Sequence, residues 1–317
     1  CSSNRLTELD VSDCPELTNL ECGSNALTGL DVSHNPDLQT LMCEVNSIPE
    51  LDVSNHPMLC TLMVYNNELT ELDLSHNPEL SYLDCDCNAL TELDLSANPL
   101  LEILYCNWDE LTELDVSNNP MLTCICCFGN MLTGIDVSNN HELRYFDCSE
   151  NLITGLDLSG NNALQYLSCR QNPMTELILP DNPDFFRVRT LRAEGGGFVG
   201  CYVDGLSEFT VFAESEDSVV FLGWYDETGA LVSEEDCFRI QDGSYTVLTA
   251  RFEGGAVPGD VDGSGSVNVT DAILALRGAM GVIGLTDEQI AAGDVNGDGV
   301  VNVIDALRIL RMAMGIA

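Results

Sequence analysis

The apolar positions of the N-terminal half recur with a fixed step. LTELDVS begins at Leu6, LTGLDVS at Leu27, IPELDVS at Ile48, LTELDLS at Leu69 and again at Leu90. LTELDVS returns at Leu111, LTGIDVS at Leu132, ITGLDLS at Ile153 and MTELILP at Met174, every start 21 residues after the last. A second phrase fills the interval, as in LSYLDCDCNAL from Leu80 to Leu90. Within it Leu83 and Cys85 alternate with Asp84 and Asp86, the period of a strand with one buried face. One such unit cannot bury its apolar face alone, so the pattern predicts coils stacked around a shared core.

The second phrase reads L-x-x-L-x-C-x-x-N-x-L and resembles the leucine-rich repeat, in the 21-residue bacterial class. The resemblance covers residues 1–184 and implies a β-rich solenoid. Asn4, Asn25, Asn46, Asn67, Asn88, Asn130, Asn151 and Asn172 fall in one column, which Asp109 interrupts. A buried asparagine at each bend is expected to pair backbone groups of neighbouring coils. Asp10, Asp31, Asp52, Asp73, Asp94, Asp115, Asp136 and Asp157 form a second column, placed on the other strand phrase and facing solvent. Cys1, Cys22, Cys43, Cys85, Cys106, Cys127, Cys148 and Cys169 form a third, with Val64 in the same frame. Valine neither bridges nor ligates, so the column asks for a small apolar shape and predicts reduced, buried thiols. A secreted protein this rich in thiols suits an anaerobic bacterium. Cys1 is in register with Cys22, so the chain is expected to begin inside a repeat, with a signal peptide upstream. Among outward positions, Met42, Met63, Tyr65, Tyr105, Trp108 and Phe128 gather in the middle repeats and suggest a surface for a protein or glycan ligand.

Composition narrows the function. The chain has 317 residues, enough for two or three domains. It carries 52 acidic residues against 11 basic ones, all arginine, for a net charge of -41. Such a chain repels nucleic acid and anionic membranes. Without lysine it has neither a P-loop lysine nor a Schiff base. The longest apolar run, near Val219–Tyr225, is too short to span a membrane. His34, His56, His76 and His141 all fall in the turns between half-repeats, where solvent-exposed side chains are expected and no general base. Cys85/Cys87 and Cys124/Cys126/Cys127 lack the spacing of a zinc site. No catalytic constellation is expected, and the chain reads as a non-enzyme.

The repeat grammar fails after Met174. Phe185 and Phe186 are placed to cap the open core. FTVFAE, VVFLGWYDETGALVS and YTVLTARFE then alternate as strands. FLGWYDETGALVS and LTARFE resemble the Listeria–Bacteroides, or internalin-type, repeat module. That resemblance covers residues 185–254 and implies a small β-grasp-like fold acting as a spacer. Trp224 and Tyr225 read as core, and a Cys201–Cys237 disulfide is left open.

After a linker at 255–258, DVDGSGSVNVTD sets Asp260, Asp262, Ser264, Ser266 (through its carbonyl), Asn268 and Asp271 at loop positions 1, 3, 5, 7, 9 and 12. DVNGDGVVNVID repeats this with Asp294, Asn296, Asp298, Val300, Asn302 and Asp305. Hard oxygen donors at this spacing predict two calcium ions. An EF-hand needs a helix before each loop, and GGAVPG cannot supply one. Helices are instead expected after the loops, over Ala272–Met280 and Ala306–Met314, with a shorter one to Ala292 behind a Thr286/Gln289 capping box. Loop then helix, twice, resembles the type I dockerin family over residues 259–317. The resemblance implies an all-α, calcium-folded module that binds a cohesin of a scaffoldin. It assigns the contact to Val269, Thr270, Leu276 and Arg277 in one copy and Val303, Ile304, Leu310 and Arg311 in the other. The chain as a whole is therefore expected to be multidomain, extracellular and part of a cellulosome-like complex. The alternatives are an accessory part of a polysaccharide-degrading enzyme or a host-surface adhesin.

Overall fold

A computed structural model describes residues 1–182, 186–204, 209–215, 219–240, 245–253, 259–264, 267–296 and 299–314. The ligand positions Ser266 and Asp298, the capping residue Phe185 and the linker 255–258 lie outside the described residues.

The cysteine phrase of each repeat makes one short strand. These are β1 (Asn19–Glu21), β2 (Thr40–Met42), β3 (Thr61–Met63), β4 (Tyr82–Asp84), β5 (Ile103–Tyr105), β6 (Cys124–Cys126), β7 (Tyr145–Asp147) and, after β8 (Gly155–Asp157), β9 (Tyr166–Ser168). Neighbours pair in parallel with no shift, so Leu20, Leu41, Leu62, Leu83, Leu104, Ile125, Phe146 and Leu167 stack in one buried column. Pairing follows the 21-residue step, and a one-residue slip would turn the apolar side chains to the other face.

The bend after each strand explains two sequence columns. The chain turns through a residue with φ between 52° and 57° at Ser3, Ser24, Val45, Asn66, Cys87, Trp108, Glu150 and Gln171. The asparagine that follows, or Asp109 after Trp108, closes the turn. Asn130 donates from Nδ2 to the carbonyls of Cys106 (2.8 Å) and Cys127 (3.0 Å), while its Oδ1 accepts from the Leu111 N–H at 3.0 Å. Each amide thus ties its own coil to the one before it.

The other phrase departs from expectation in its first copies. Leu6–Ser12 and its successors are extended turns without ladder pairing until Gly155–Asp157. Each aspartate of that column accepts from the N–H of the serine two residues on, as Asp94 does from Ser96 at 2.9 Å. The hydroxyl of that serine, and then its N–H, hold the carboxyls of Asp10, Asp31, Asp52, Asp73, Asp94 and Asp115 below the usual range. The column is exposed, as expected, and its role is to shape a turn.

A further column was not anticipated. Asn35, His56, Asn77, Asn98, Asn119, Asn140 and Asn161 are wholly buried. Each asparagine donates twice, as Asn98 does to the carbonyls of Leu74 (3.1 Å) and Asn77 (2.9 Å). His56 occupies this column and is 0% exposed, which corrects its expected placement in solvent. Its Nε2 contacts the Val32 carbonyl at 3.0 Å and its buried Nδ1 has no partner. His34, His76 and His141 are exposed, each one frame position away.

The middle segment continues the solenoid. After β10 (Glu176–Ile178) come β11 (Val188–Glu194), β12 (Gly197–Asp204), β13 (Phe209–Ser215), β14 (Val220–Asp226), β15 (Leu231–Ser233), β16 (Cys237–Arg239) and β17 (Tyr245–Glu253). One sheet runs β1 to β7, β9, β12, β13, β16, and the other runs β15, β14, β17, β11, β10, β8. Each thus starts on a half-repeat and ends in the middle segment. Among the described residues this segment has no helix, and one apolar core runs from Val11 through Phe186 and Trp224 to Phe252. Trp224 is fully buried, as expected of core. Cys201 is buried at the end of the thiol column, with its N–H 3.4 Å from Cys169 Sγ. Cys237 pairs with Phe212, one position off the Cys201–Val211–Phe238 row. It therefore points to the opposite sheet face, is exposed, and forms no bridge with Cys201. Every described cysteine is a free thiol.

The C-terminal segment has its own small core of Val261, Ala272, Ala275, Ala306 and Ile309. It holds α1 (Val269–Ala279), α2 (Asp287–Gly293) and α3 (Val303–Ala313). Helices α1 and α3 begin three residues earlier than the apolar pattern suggests, because loop residues also cap them. Asn268 accepts from the Thr270 N–H at 2.8 Å, and Asp271 accepts from the Asn268 N–H at 2.8 Å. Asn302 and Asp305 do the same for α3. The Thr286/Gln289 capping box opens α2.

Candidate functional site

The two loops before α1 and α3 carry the most specific chemistry. In the first, carboxylate oxygens of Asp260, Asp262 and Asp271 all lie within 4.8 Å of one another. Asp260 and Asp271 are buried, and Asp262 is exposed. Asp260 Oδ1 accepts from the Ser264 N–H (3.0 Å) and lies 3.3 Å from the Ser264 hydroxyl. Asp271 Oδ1 accepts from the Asp262 N–H at 2.9 Å. These bonds fold the loop back on itself, so positions 1, 3 and 12 converge. In the second loop, Asp294 Oδ2 accepts from the Gly299 N–H (2.7 Å) and Asp305 Oδ2 from the Asn302 N–H (2.9 Å). Asp305 is 0% exposed and its other oxygen has no hydrogen-bond partner. A buried carboxylate oxygen without a donor is costly unless a cation meets it. The donor set is all oxygen and the oxygens crowd together, which fits a hard divalent cation such as calcium.

The helices after these loops expose matching rows. Val269, Ile273 and Met280 on α1 and its C-terminus are 50%, 51% and 58% exposed; Val303, Leu307 and Met314, 34 residues later, are 49%, 57% and 52% exposed. Thr270, Arg277, Ile304 and Arg311 are exposed beside them. Leu276 and Leu310 are half-buried and pack against the small core. Ile273 and Leu307, with Met280 and Met314, are exposed apolar residues that sequence reasoning left out of the contact. For Ile273 and Leu307, the signal was present in their spacing, one helical turn from Val269 and Val303.

The outward face of the long sheet is the third surface. Met42, Met63, Tyr65, Tyr105 and Phe128 are half-buried on it. Trp108 sits at a bend, 50% exposed, edge-on to Phe128 with centroids 4.5 Å apart. Gly129 makes room for it, since a Cβ there would lie 2.6 Å from the indole. The expected patch extends further along the sheet. Tyr82 packs near Tyr105 (6.0 Å), Tyr145 stacks flat on Tyr166 (3.9 Å), and Tyr166 meets Tyr202 edge-on (5.6 Å), under the Arg170 guanidinium. Tyr82, Tyr145 and Tyr166 share one frame position that sequence reasoning passed over, and Tyr202 joins them only through the antiparallel pairing of β12 with β9. Asp84 stands opposite Tyr105 and two residues after Tyr82 on the same strand, where burial, with the Asp86 charge adding to it, pushes its carboxyl up to about 7.

These features define a leucine-rich-repeat solenoid joined to a loop–helix module built for a divalent cation. More particularly, residues 258–312 match the dockerin type I domain family. No curated protein sequence matches the chain. Among solved structures, a leucine-rich-repeat protein of Leptospira interrogans, LIC12759, is similar at a TM-score of 0.52 and 23% identity, over 54% of this chain and 48% of that one. YopM, a leucine-rich effector protein from Yersinia pestis, is similar at 0.50 and 29% identity, over 58% and 51%. The chain thus spans about half the length of either protein. The functional domain of InlJ from Listeria monocytogenes, described as including a cysteine ladder, matches over 80% of this chain and 84% of that chain, at 24% identity and a TM-score of 0.41. Dockerin and leucine-rich-repeat modules are non-catalytic, and no helix among the described residues is long and apolar enough to cross a membrane.

Proposed function

We propose that this chain is a non-catalytic extracellular binding protein that attaches to a cellulosome-type scaffoldin. Attachment runs through a calcium-dependent contact between its dockerin module and a cohesin. The two loops hold one calcium each: Asp260, Asp262, Ser264, Asn268 and Asp271 with the Ser266 carbonyl in the first, and Asp294, Asn296, Asp298, Asn302 and Asp305 with the Val300 carbonyl in the second. The observation that carries the reading is the duplicated exposed row. Val269, Thr270, Ile273 and Arg277 on α1 repeat as Val303, Ile304, Leu307 and Arg311 on α3. A lone surface helix does not present the same apolar row twice unless a partner covers it. The near-symmetry supports docking in either of two orientations. Met42, Met63, Tyr65, Tyr105, Trp108 and Phe128 belong to a separate surface on the solenoid, for a protein or glycan ligand.

Calorimetric titration of the full chain against a panel of cohesins, in calcium and in EDTA, tests this. Binding in calcium, lost in EDTA and in a double Asp271→Ala/Asp305→Ala variant, supports the reading. Calcium uptake with no cohesin bound overturns the attachment. A variant with aspartate at both Ile273 and Leu307 separates the face from the loops: it keeps calcium and loses the cohesin.

A further inference from the structure

One bend departs from the repeat in a way the scaffold does not require. Trp108 takes the bend position with φ 55°, a region that bulky side chains rarely occupy. The same frame holds Ser24, Val45, Asn66, Cys87, Glu150 and Gln171 in other coils, and glycine, Gly129, in the coil that follows Trp108. A Cβ at Gly129 would lie 2.6, 2.8 and 3.0 Å from three adjoining ring atoms, so one face of the indole lies on this backbone. Phe128 meets the indole edge-on, with centroids 4.5 Å apart, and holds it in place. Trp108 nevertheless stays 50% exposed. The other coils close their bends without such a ring, so a fixed, half-exposed plate kept at a strained position points to a ligand.

The polar groups beside the plate are few and fixed. Asp86 Oδ1 accepts from the Asn107 N–H (2.6 Å) and its Oδ2 from Asn107 Nδ2 (2.9 Å), while Asn107 Oδ1 accepts from the Phe128 N–H at 2.9 Å. Lone pairs remain on the carboxylate and a second N–H on the amide. Burial, ahead of the Asp86 charge, pushes the carboxyl of neighbouring Asp84 up to about 7, so near neutral pH it serves as donor and acceptor alike. Burial raises Asp86 as well, so these carboxyls hold less charge for a cation than their number suggests. An indole face with a rim of fixed donors and acceptors matches a ligand that has C–H groups on one side and hydroxyls around its edge.

We infer that Trp108 is a stacking platform for a sugar ring of a neutral polysaccharide, with Asp86 and Asn107 meeting the ring's hydroxyls. This deepens the proposal of a protein or glycan ligand on the solenoid and rests on it. The C–H groups on one side of a pyranose carry slight positive charge and settle on the negative face of the indole. Phe128 and Gly129 hold the plate before the ligand arrives, so little rotamer freedom is lost on binding. A polysaccharide bearing carboxylates or sulfates meets repulsion instead, from Asp86 and from the net charge of -41.

The test runs the full chain, calcium-loaded, in native gels cast with hydroxyethylcellulose, glucomannan or xyloglucan as neutral probes and polygalacturonate as the acidic one. The expected result is retardation by at least one neutral probe and none by polygalacturonate. Trp224 is fully buried, so a change in tryptophan emission on adding the retarding polymer reports Trp108. Trp108→Ala weakens retardation roughly tenfold or more. Asp86→Ala also weakens it, and Met121→Ala, exposed in the turn before β6, leaves it unchanged. Unchanged circular dichroism verifies that the variants fold, as the range of residues at this bend in other coils leads one to expect. No retardation by any neutral probe, or undiminished retardation of Trp108→Ala, overturns the platform. Undiminished retardation of Asp86→Ala overturns the carboxylate as its polar partner. If the sugars fail and a tetra-arginine peptide shifts the emission, the sugar is overturned while the surface keeps a protein ligand; if neither acts, both fall.

Discussion

Replacing Asp109 by asparagine should stabilise the solenoid and flatten its pH dependence. Asp109 is the one acidic residue in the asparagine column that closes the bends. Its Oδ1 accepts from the N–H groups of Asn88 (3.1 Å) and Leu90 (3.4 Å), and its Oδ2 is buried without a partner. By the register of the column, an amide here would donate to the carbonyls of Cys85 and Cys106, as Asn130 does one coil later. A carboxylate has no hydrogen to offer them. Burial, with Asp86 and Glu110 adding repulsion, pushes the carboxyl up to about 7. A raised folded-state pKa means the native protein holds a proton the unfolded chain has released. The stability that Asp109 contributes is thus complete below about pH 4 and falls as pH rises. It is fully lost above about pH 7. Three units at about 1.4 kcal/mol each bound the loss at about 4 kcal/mol. Asp109→Asn should recover about 2–4 kcal/mol of this at pH 8 and little at pH 4. Urea unfolding at pH 4, 6 and 8 measures it, and the indole of neighbouring Trp108 reports the transition. Equal midpoint shifts for wild type and variant between pH 4 and 8 would refute the argument.

Three further outcomes follow from the same structure. His56→Asn should stabilise by about 1 kcal/mol, because asparagine donates to two carbonyls where the imidazole serves one and leaves Nδ1 unpaired; a lower urea midpoint would count against it. Asp271→Ala or Asp305→Ala should remove calcium-dependent helicity from the C-terminal module while leaving the solenoid's unfolding midpoint unchanged, as separate cores require; far-ultraviolet circular dichroism with calcium and EDTA reads both. Under native alkylation, mass spectrometry should find Cys14 and Cys237 modified and the buried ladder thiols from Cys22 to Cys148 protected, because burial also lifts those thiols, that of Cys22 to about 11; rapid labelling of Cys106 would disprove the packing.

Much of the candidate site was legible in the chain. The positions of Asp260 and Asp271 in a twelve-residue loop name the cation class, because oxygen donors at fixed offsets have few other uses. That Asn268 and Asp271 also cap α1 was equally readable, as an Asn-x-x-Asp pattern, but the calcium spacing overshadowed it. Leu276 and Leu310 could not be told from Ile273 and Leu307 by type; only the packing of α1 on α3 divides them into half-buried and exposed.

The 21-residue step by itself determined the solenoid. A repeat that returns the same residues to the same place leaves in-register stacking as the way to bury every leucine and to pair every bend amide. Sequence could likewise establish that the cysteine column is apolar, since Val64 replaces a thiol in it. Tertiary structure alone decided how the repeats end. The strands after Met174 predicted a separate spacer, yet β12 adds to β9 and β11 to β10. An open solenoid end exposes unpaired strand edges and a cut core, and the next available strands cover both. The same pairing puts Cys201 on the thiol column and Cys237 on the other face, which no count of cysteines could reveal. The fate of His56 was likewise decided in three dimensions. One residue's shift along the turn carries a histidine from solvent into the stacked core, because successive positions of a bend face opposite ways.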